Sequence, residues 1–198
     1  MTTPTQPVPR SLMQRVRSAT PGFIKEAVRV SSAIYSYVVL NWPNTPTGIA
    51  MRRRFMERRV AAIGTNFRLM RGCDFEGYGL IRIGDNSGIA ENCVIAIGPG
   101  PNELRIGTQT FIGPDVYIRN MNHRFDRLDV PIMRQGHEGT DIVIGDGVWI
   151  GARCVLLAGT KIGDHSVIAA GSVVSIEIPP YSIAAGNPVR VLRRRNST

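Results

Sequence analysis

The sequence predicts an all-β solenoid, a parallel β-helix of about five coils, and three observations point to it. From Ile144 onward an aliphatic residue returns at every sixth position: Ile144, Ile150, Leu156, Ile162, Ile168 and Val174. Glycine follows three of these anchors, at Gly145, Gly151 and Gly163, and Ala169 follows a fourth. Four places after five of the anchors stand the small or β-branched residues Val148, Cys154, Thr160, Ser166 and Ser172. A helix needs a period near 3.6 and a half-buried strand a period of 2, so a six-residue period fits neither.

Such a unit, a short extended segment and a turn, forms one side of a triangular coil, and three units close a turn of about 18 residues. The anchors point inward, the small residues fit the corners, and stacked coils satisfy one another's backbone groups while burying one continuous core. The same phase precedes this region as Ile83, Ile89, Ile95 and as Ile106, Ile112, Ile118, with a weaker start at Ile63, Leu69, Phe75. Phase breaks fall near residues 81, 101 and 120–143. The expected organisation is therefore a basic, partly helical segment at 1–62, coils at 63–189 with a long loop at 120–143, and a basic tail at 190–198.

The N-terminal segment holds ten Lys/Arg against two Glu, +8 of the chain's net +9, so the coils are close to neutral. Arg52, Arg53, Arg54, Arg58 and Arg59 surround Phe55, Met56 and Val60 in a candidate amphipathic helix. Its first reading is a solvated basic face, and attachment to an anionic membrane surface or polyanionic acceptor is the alternative. Without interleaved aromatic residues or a zinc-finger pattern, nucleic acid is not an expected partner. The apolar stretch from Ala33 to Leu40 is far short of the roughly 20 residues of a membrane span, and Pro4, Pro7 and Pro9 do not suit a secretory signal. The expected location is cytoplasmic, with the inner membrane face as a peripheral option.

Cys73, Cys93 and Cys154 each stand four residues after an anchor, where a small side chain is wanted. They are read as packing groups, since no CxxC pair exists and cytoplasmic thiols stay reduced. No metal site is expected.

The phrases Ile144-Gly-Asp-Gly-Val-Trp-Ile-Gly151, Ile168-Ala-Ala-Gly-Ser172 and Ile178-Pro-Pro-Tyr-Ser-Ile-Ala-Ala-Gly-Asn-Pro188 resemble the hexapeptide-repeat acyltransferases over roughly residues 63–195. The resemblance implies a left-handed winding, against the general right-handed rule, and a homotrimer with active sites between neighbouring subunits. The excursion starting Asn120-Met-Asn122-His123 and running through Pro131-Ile132 to Gln135-Gly136 resembles the family's active-site loop. A sugar hydroxyl is a poor nucleophile at neutral pH, and an imidazole can take its proton as it attacks a thioester. His123 is therefore the expected general base, with Asp126 or Asp129 as orienting groups.

Similarity to the galactoside and maltose acetyltransferases implies acetyl-CoA as cosubstrate, contacted by Trp149, Ala152, Ala170, Ser175, Arg190 and Arg193. Alanines would let a pantetheine arm approach the backbone, and the arginines suit nucleotide phosphates. The family's acceptor-binding Asn aligns near Asn92 or Cys93, depending on register, with Asn122 as a further candidate. The galactoside enzymes' N-terminal acceptor module is not recognisable, and Trp42-Pro43-Asn44 with the basic segment resembles enzymes that acetylate surface-polysaccharide precursors. Competing readings are acetylation of serine, an antibiotic or a nucleotide-linked amino sugar, a zinc carbonic anhydrase using His123, His137 and His165, and a silent scaffold.

Overall fold

The computed structural model describes residues 21–195. The reading of the proline-rich start falls outside them. Two helices come first, α1 (Pro21–Asn41) and α2 (Pro46–Glu57), as the sequence expects. The chain divides into two compact units, residues 1–38 and 39–198. In the first, Val28, Val30, Ile34, Tyr35 and Tyr37 of α1 are exposed. Among the described residues no helix is long and apolar enough to cross a membrane.

The second unit is a three-faced parallel solenoid. Strands ending at Ile63, Ile83, Ile106, Ile144, Ile162 and Ile178 stack as the first face. The second carries Leu69, Ile89, Ile112, Ile150, Ile168 and Ala184 inward, and the third Phe75, Ile95, Ile118, Leu156 and Val174. All but Ile63 are buried, so the six-residue anchors are the core. Each coil hydrogen-bonds to the next, as in Gly145 N–H to the Ile162 carbonyl at 2.8 Å and Trp149 N–H to that of Ser166 at 3.0 Å.

The corner residues also turn inward. Thr160, Ser166 and Ser172 are buried and their hydroxyls donate to the carbonyls of Val174, Pro179 and Ala169. Cys73, Cys93 and Cys154 take the same place, buried and free, with thiols on the carbonyls of Ala90, Gly113 and Ala169. Between the first and second faces each coil turns through a left-handed residue: Asn66, Asn86, Gln109, Gly147, His165 and Tyr181. Asn and Gly tolerate that conformation best.

Three expectations need correction. The first two faces have six coils rather than about five, because the last one, with Ile178 and Ala184, follows Val174 after four residues instead of six. That shortening hid it from a strict period. The basic tail expected from residue 190 begins as a further strand of the second-face sheet, with its side chains exposed. Arg190–Arg194 is a strand lying antiparallel on Ser182–Ala185, where it covers the open edge of the last coil.

The third concerns the basic cluster. Gly48, Arg52, Phe55 and Met56 are the buried side of α2, a stripe that packs Phe55 and Met56 into the core cluster at the first coil. Arg52 is fully buried rather than solvated. Its guanidinium donates to the carbonyls of Leu69 at 2.7 Å and Trp42 at 2.5 Å and to Asn44 Oδ1 at 2.8 Å. Arg53 and Arg54 both pair with Glu57, and Arg59 lies 3.7 Å from the Phe55 ring centre. The helix thus plugs the open end of the solenoid, as a terminal cap must.

Candidate active site

The excursion opens at the corner between the third and first faces. Asn120 is buried there, its Oδ1 accepting from Gly98 N–H at 2.9 Å and its carbonyl from Thr140 N–H at 3.0 Å. A Cβ at Gly98 would fall 1.5 Å from the Met121 sulfur, so any larger residue there makes the Met121 side chain move aside. With both ends fixed, Met121–His123 pairs antiparallel with His137–Gly139. At the loop's far end the Gln135 carboxamide accepts from Arg127 N–H at 3.0 Å and donates to the Arg127 and Val130 carbonyls, each at 2.7 Å. The excursion is therefore a tied hairpin.

His123 faces His137 across this pair, with ring centres 4.2 Å apart. His123 is half-buried, His137 exposed. The Nδ1 of His123 is buried and has no hydrogen-bond partner among the described residues. Neither aspartate is seen to orient the ring. Asp129 is held by Arg127, with Nε at 3.1 Å, and that bond keeps its carboxyl below the usual range, while Asp126 is exposed. The sequence names His137 only as a zinc-ligand candidate, and its place beside His123 was not legible because only strand pairing makes residues 14 positions apart neighbours. Arg124 and Glu138, 3.7 Å apart, flank the pair.

The acceptor candidates lie apart. Asn122 is exposed beside His123 and opposite Glu138. Asn92 is a left-handed corner residue, φ 59°, donating to Asp115 Oδ1 at 3.3 Å. It precedes strand Val94–Ala96, whose far end lies beside Arg119, on the way to the excursion. Its corner geometry accounts for an Asn there without a ligand.

The cofactor candidates fall into two groups. Trp149 is exposed on the second face, in an outward row with Arg68, Gly88, Phe111, Val167 and Ile183. Ala152 and Ala170 occupy the adjoining corner between the second and third faces, and neither backbone N–H has a backbone acceptor among the described residues. Arg190 and Arg193 lie at the end of the same second-face sheet, opposite Ala185 and Ile183. Ser175 instead lies just past the third face, at the corner where His123 leaves. The solenoid core separates that corner from the second face, so one chain brings only part of the set together. Among the described residues no group of three or more His, Cys, Asp or Glu is placed to hold a metal. His165 sits at a different corner from His123 and His137, stacked on Tyr181 at 5.0 Å.

A triangular solenoid with a corner excursion bearing a histidine, and small residues shelved beside a tryptophan, defines a hexapeptide-repeat transferase. Residues 141–175 match the family described as bacterial transferase hexapeptide (six repeats). The galactoside O-acetyltransferase of Escherichia coli (strain K12) is 33% identical over 153 residues, covering 76% of this chain and 72% of that protein. An Escherichia coli protein named as a lipopolysaccharide biosynthesis O-acetyl transferase, WbbJ, is 32% identical over 130 residues, 62% of this chain and 65% of its own. The first two curated relatives are matched over 59% and 72% of their lengths. The crystal structure of a hexapeptide-repeat acetyltransferase from Vibrio cholerae, complexed with acetyl coenzyme A, superposes with a TM-score of 0.70 at 30% identity, covering 90% of this chain and 92% of that one. The chain belongs to the hexapeptide-repeat acetyltransferase family, and its solenoid is the left-handed β-helix of that family.

Proposed function

We propose that the protein transfers the acetyl group of acetyl-CoA to a sugar hydroxyl in a surface-polysaccharide precursor. His123 acts as general base at a site assembled between neighbouring copies of a homotrimer. The observation that carries this is the His123 imidazole, held at the root of a tied hairpin with Nδ1 turned inward and Nε2 left for substrate. As the hydroxyl oxygen forms its bond to the thioester carbonyl carbon, Nε2 takes the hydroxyl proton. The carbon–sulfur bond then breaks and the proton passes to the departing thiolate. A covalent acetyl-enzyme is unnecessary.

The placement supports sites shared between copies. His123 and Ser175 share one corner, while Trp149, Ala152, Ala170, Arg190 and Arg193 belong to the second face and its margin. A head-to-tail contact that closes into a ring brings one copy's corner to the next copy's face at every interface. The N–H groups of Ala152 and Ala170 then suit a pantetheine arm, and Arg190 and Arg193 suit nucleotide phosphates. The sugar reading draws on the galactoside and lipopolysaccharide relatives.

Replacing His123 with Ala should lower acetyl transfer at least roughly 100-fold, the lower end for a positioned base, with trimer mass and acetyl-CoA affinity retained. A near-normal rate in an assembled variant removes His123 from this role. Assaying acetyl-CoA consumption against free, nucleotide-linked and lipid-linked sugars identifies the acceptor, and transfer confined to amines or serine overturns the sugar assignment.

A further inference from the structure

A groove of about 770 Å³ runs between α2 and the lower part of the second face. Ile49, Ala50 and Arg53 of the helix form one wall, and Arg68, Gly88 and Phe111, on three successive coils, form the floor. We propose that this groove is the acceptor cleft and that it takes an oligosaccharide bearing an anionic group rather than a free monosaccharide. The proposal deepens the acetyl-transfer reading above and rests on its between-copies site.

Position comes first. Phe111 pairs with Trp149 in the next coil, so the groove continues the outward row that holds the donor candidates. In the same coil as Phe111, the chain runs through Tyr117–Arg119 and leaves at His123. In a ring of parallel solenoids, residues meet their neighbours at equal height. The next copy's His123 therefore arrives level with Phe111, with the donor shelf above it and the groove below. Acyl donor and acceptor approach the base from opposite directions along one face.

The lining selects a glycan. Phe111 is 47% exposed and offers a flat apolar surface to the C–H side of a pyranose ring. Gly88 leaves the space beside that ring open. A Cβ there would sit 3.4 Å from Phe111 Cδ2, so a larger residue fills the groove without backbone conflict. Along one edge run Asn66, Asn86 and Gln109, successive corner residues whose carboxamides suit a row of hydroxyls. Asn66 Nδ2 donates to Asn86 Oδ1 at 3.0 Å, which orients the first two in advance. The size lies within the roughly 300–1,000 Å³ of ligand sites.

The anionic preference comes from charge. Two arginines and no carboxylate line the groove. Arg53 is bonded to Glu57 at 2.9 Å, whereas Arg68 is exposed and has no ion-pair partner among the described residues. Arg68 therefore supplies the charge, and both a uronic carboxylate and a sugar phosphate answer it.

The test is calorimetric titration of the full-length protein with tetragalacturonate, maltotetraose and UDP-glucose. Tetragalacturonate should bind at least about tenfold more tightly than maltotetraose at low salt, and the gap should narrow as salt rises. Gly88→Leu should weaken tetragalacturonate at least about tenfold, Phe111→Ala should weaken both tetrasaccharides, and Arg68→Gln should equalise them. UDP-glucose binding more tightly than tetragalacturonate, and losing that advantage in Arg68→Gln, assigns the anion to a phosphate linkage. No saturable binding of any of the three, or a folded Gly88→Leu protein that binds like the parent, overturns the groove. Light scattering showing a monomer, or transfer surviving His123→Ala, overturns the underlying reading instead, and the binding measurements keep the two failures separate.

Discussion

Two side chains show how much a single position decides. The His137 ring, 4.2 Å from that of His123, limits the angles the His123 imidazole can adopt, and small misplacements of a catalytic group, the role proposed for His123, are costly. Replacing His137 with Ala should lower kcat about tenfold with little change in the acetyl-CoA KM, while Phe, which keeps the ring, should restore most of it. Unchanged kcat in the Ala variant would show that the neighbouring ring does not position the base. Arg52 decides stability. Arg52→Met strands the Leu69 and Trp42 carbonyls, while Asn44 Oδ1 keeps the Arg71 N–H, and an orphaned buried group costs about 1–3 kcal/mol. A loss of about 2 kcal/mol or more in denaturant unfolding is expected. Lys should recover little, since one ammonium cannot reproduce the planar fork.

The coil is held to its neighbour by repeated corner rungs as well as by its strands. Thr65 N–H and hydroxyl donate to Asp85 Oδ1 at 2.6 and 3.0 Å. Thr108 N–H meets Asp146 at 2.6 Å and Asp146 N–H meets Asp164 at 2.9 Å in the same way. The backbone bond from Thr65, then its hydroxyl, holds the Asp85 carboxyl below the usual range. A carboxyl lowered on folding contributes stability above its unfolded value, about 3.9, and loses it as pH falls through the folded value. Asp85→Asn should therefore melt below the parent at pH 7, with the gap closing as the pH falls below the unfolded carboxyl value. A gap independent of pH would place the rung's contribution outside the charge. The buried thiols behave as corner fillers. Burial pushes the Cys154 thiol up, and the bond with Cys73, followed by burial, pushes Cys93 up. Iodoacetamide at pH 8 should leave all three intact until denaturant is added, since raised thiols hold little thiolate at Cys93 and Cys154 and burial keeps the reagent from Cys73, whose thiol the bond with Cys93 lowers. Rapid labelling of the native protein would contradict that role.

At the scale of the assembly, a shared site makes a distinctive demand. In the proposed trimer with sites between copies, His123→Ala spoils the corner and Ala152→Trp blocks the shelf, so each variant should be inactive. Mixed after unfolding and refolding together, the two should regain activity, because an interface joining an intact corner to an intact shelf arises in about a quarter of random pairings. A site built within one chain regains nothing. The same geometry places the groove beneath α2 and the Arg190–Arg194 strand at opposite ends of the second face. The helix that carries the basic cluster also caps the solenoid, with Arg52 inside and Arg53 and Arg54 tied to Glu57.

The sequence by itself determined the solenoid, because a six-residue period leaves every anchor from Leu69 to Val174 on the inside of a coil, and a local pattern of side-chain size is enough to specify that. It also marked His123, since a break in a regular repeat is visible along the chain. Tertiary structure alone decided what lies beside what. The pairing of His123 with His137 depends on strand register, and the burial of Arg52 depends on carbonyls presented by a coil 17 residues away. The corner role of Asn92 depends on a backbone angle. The sixth coil was hidden by its shortened spacing. Such facts follow from through-space contacts among distant segments, and a one-dimensional period carries the repeat of a fold but not the neighbours it creates.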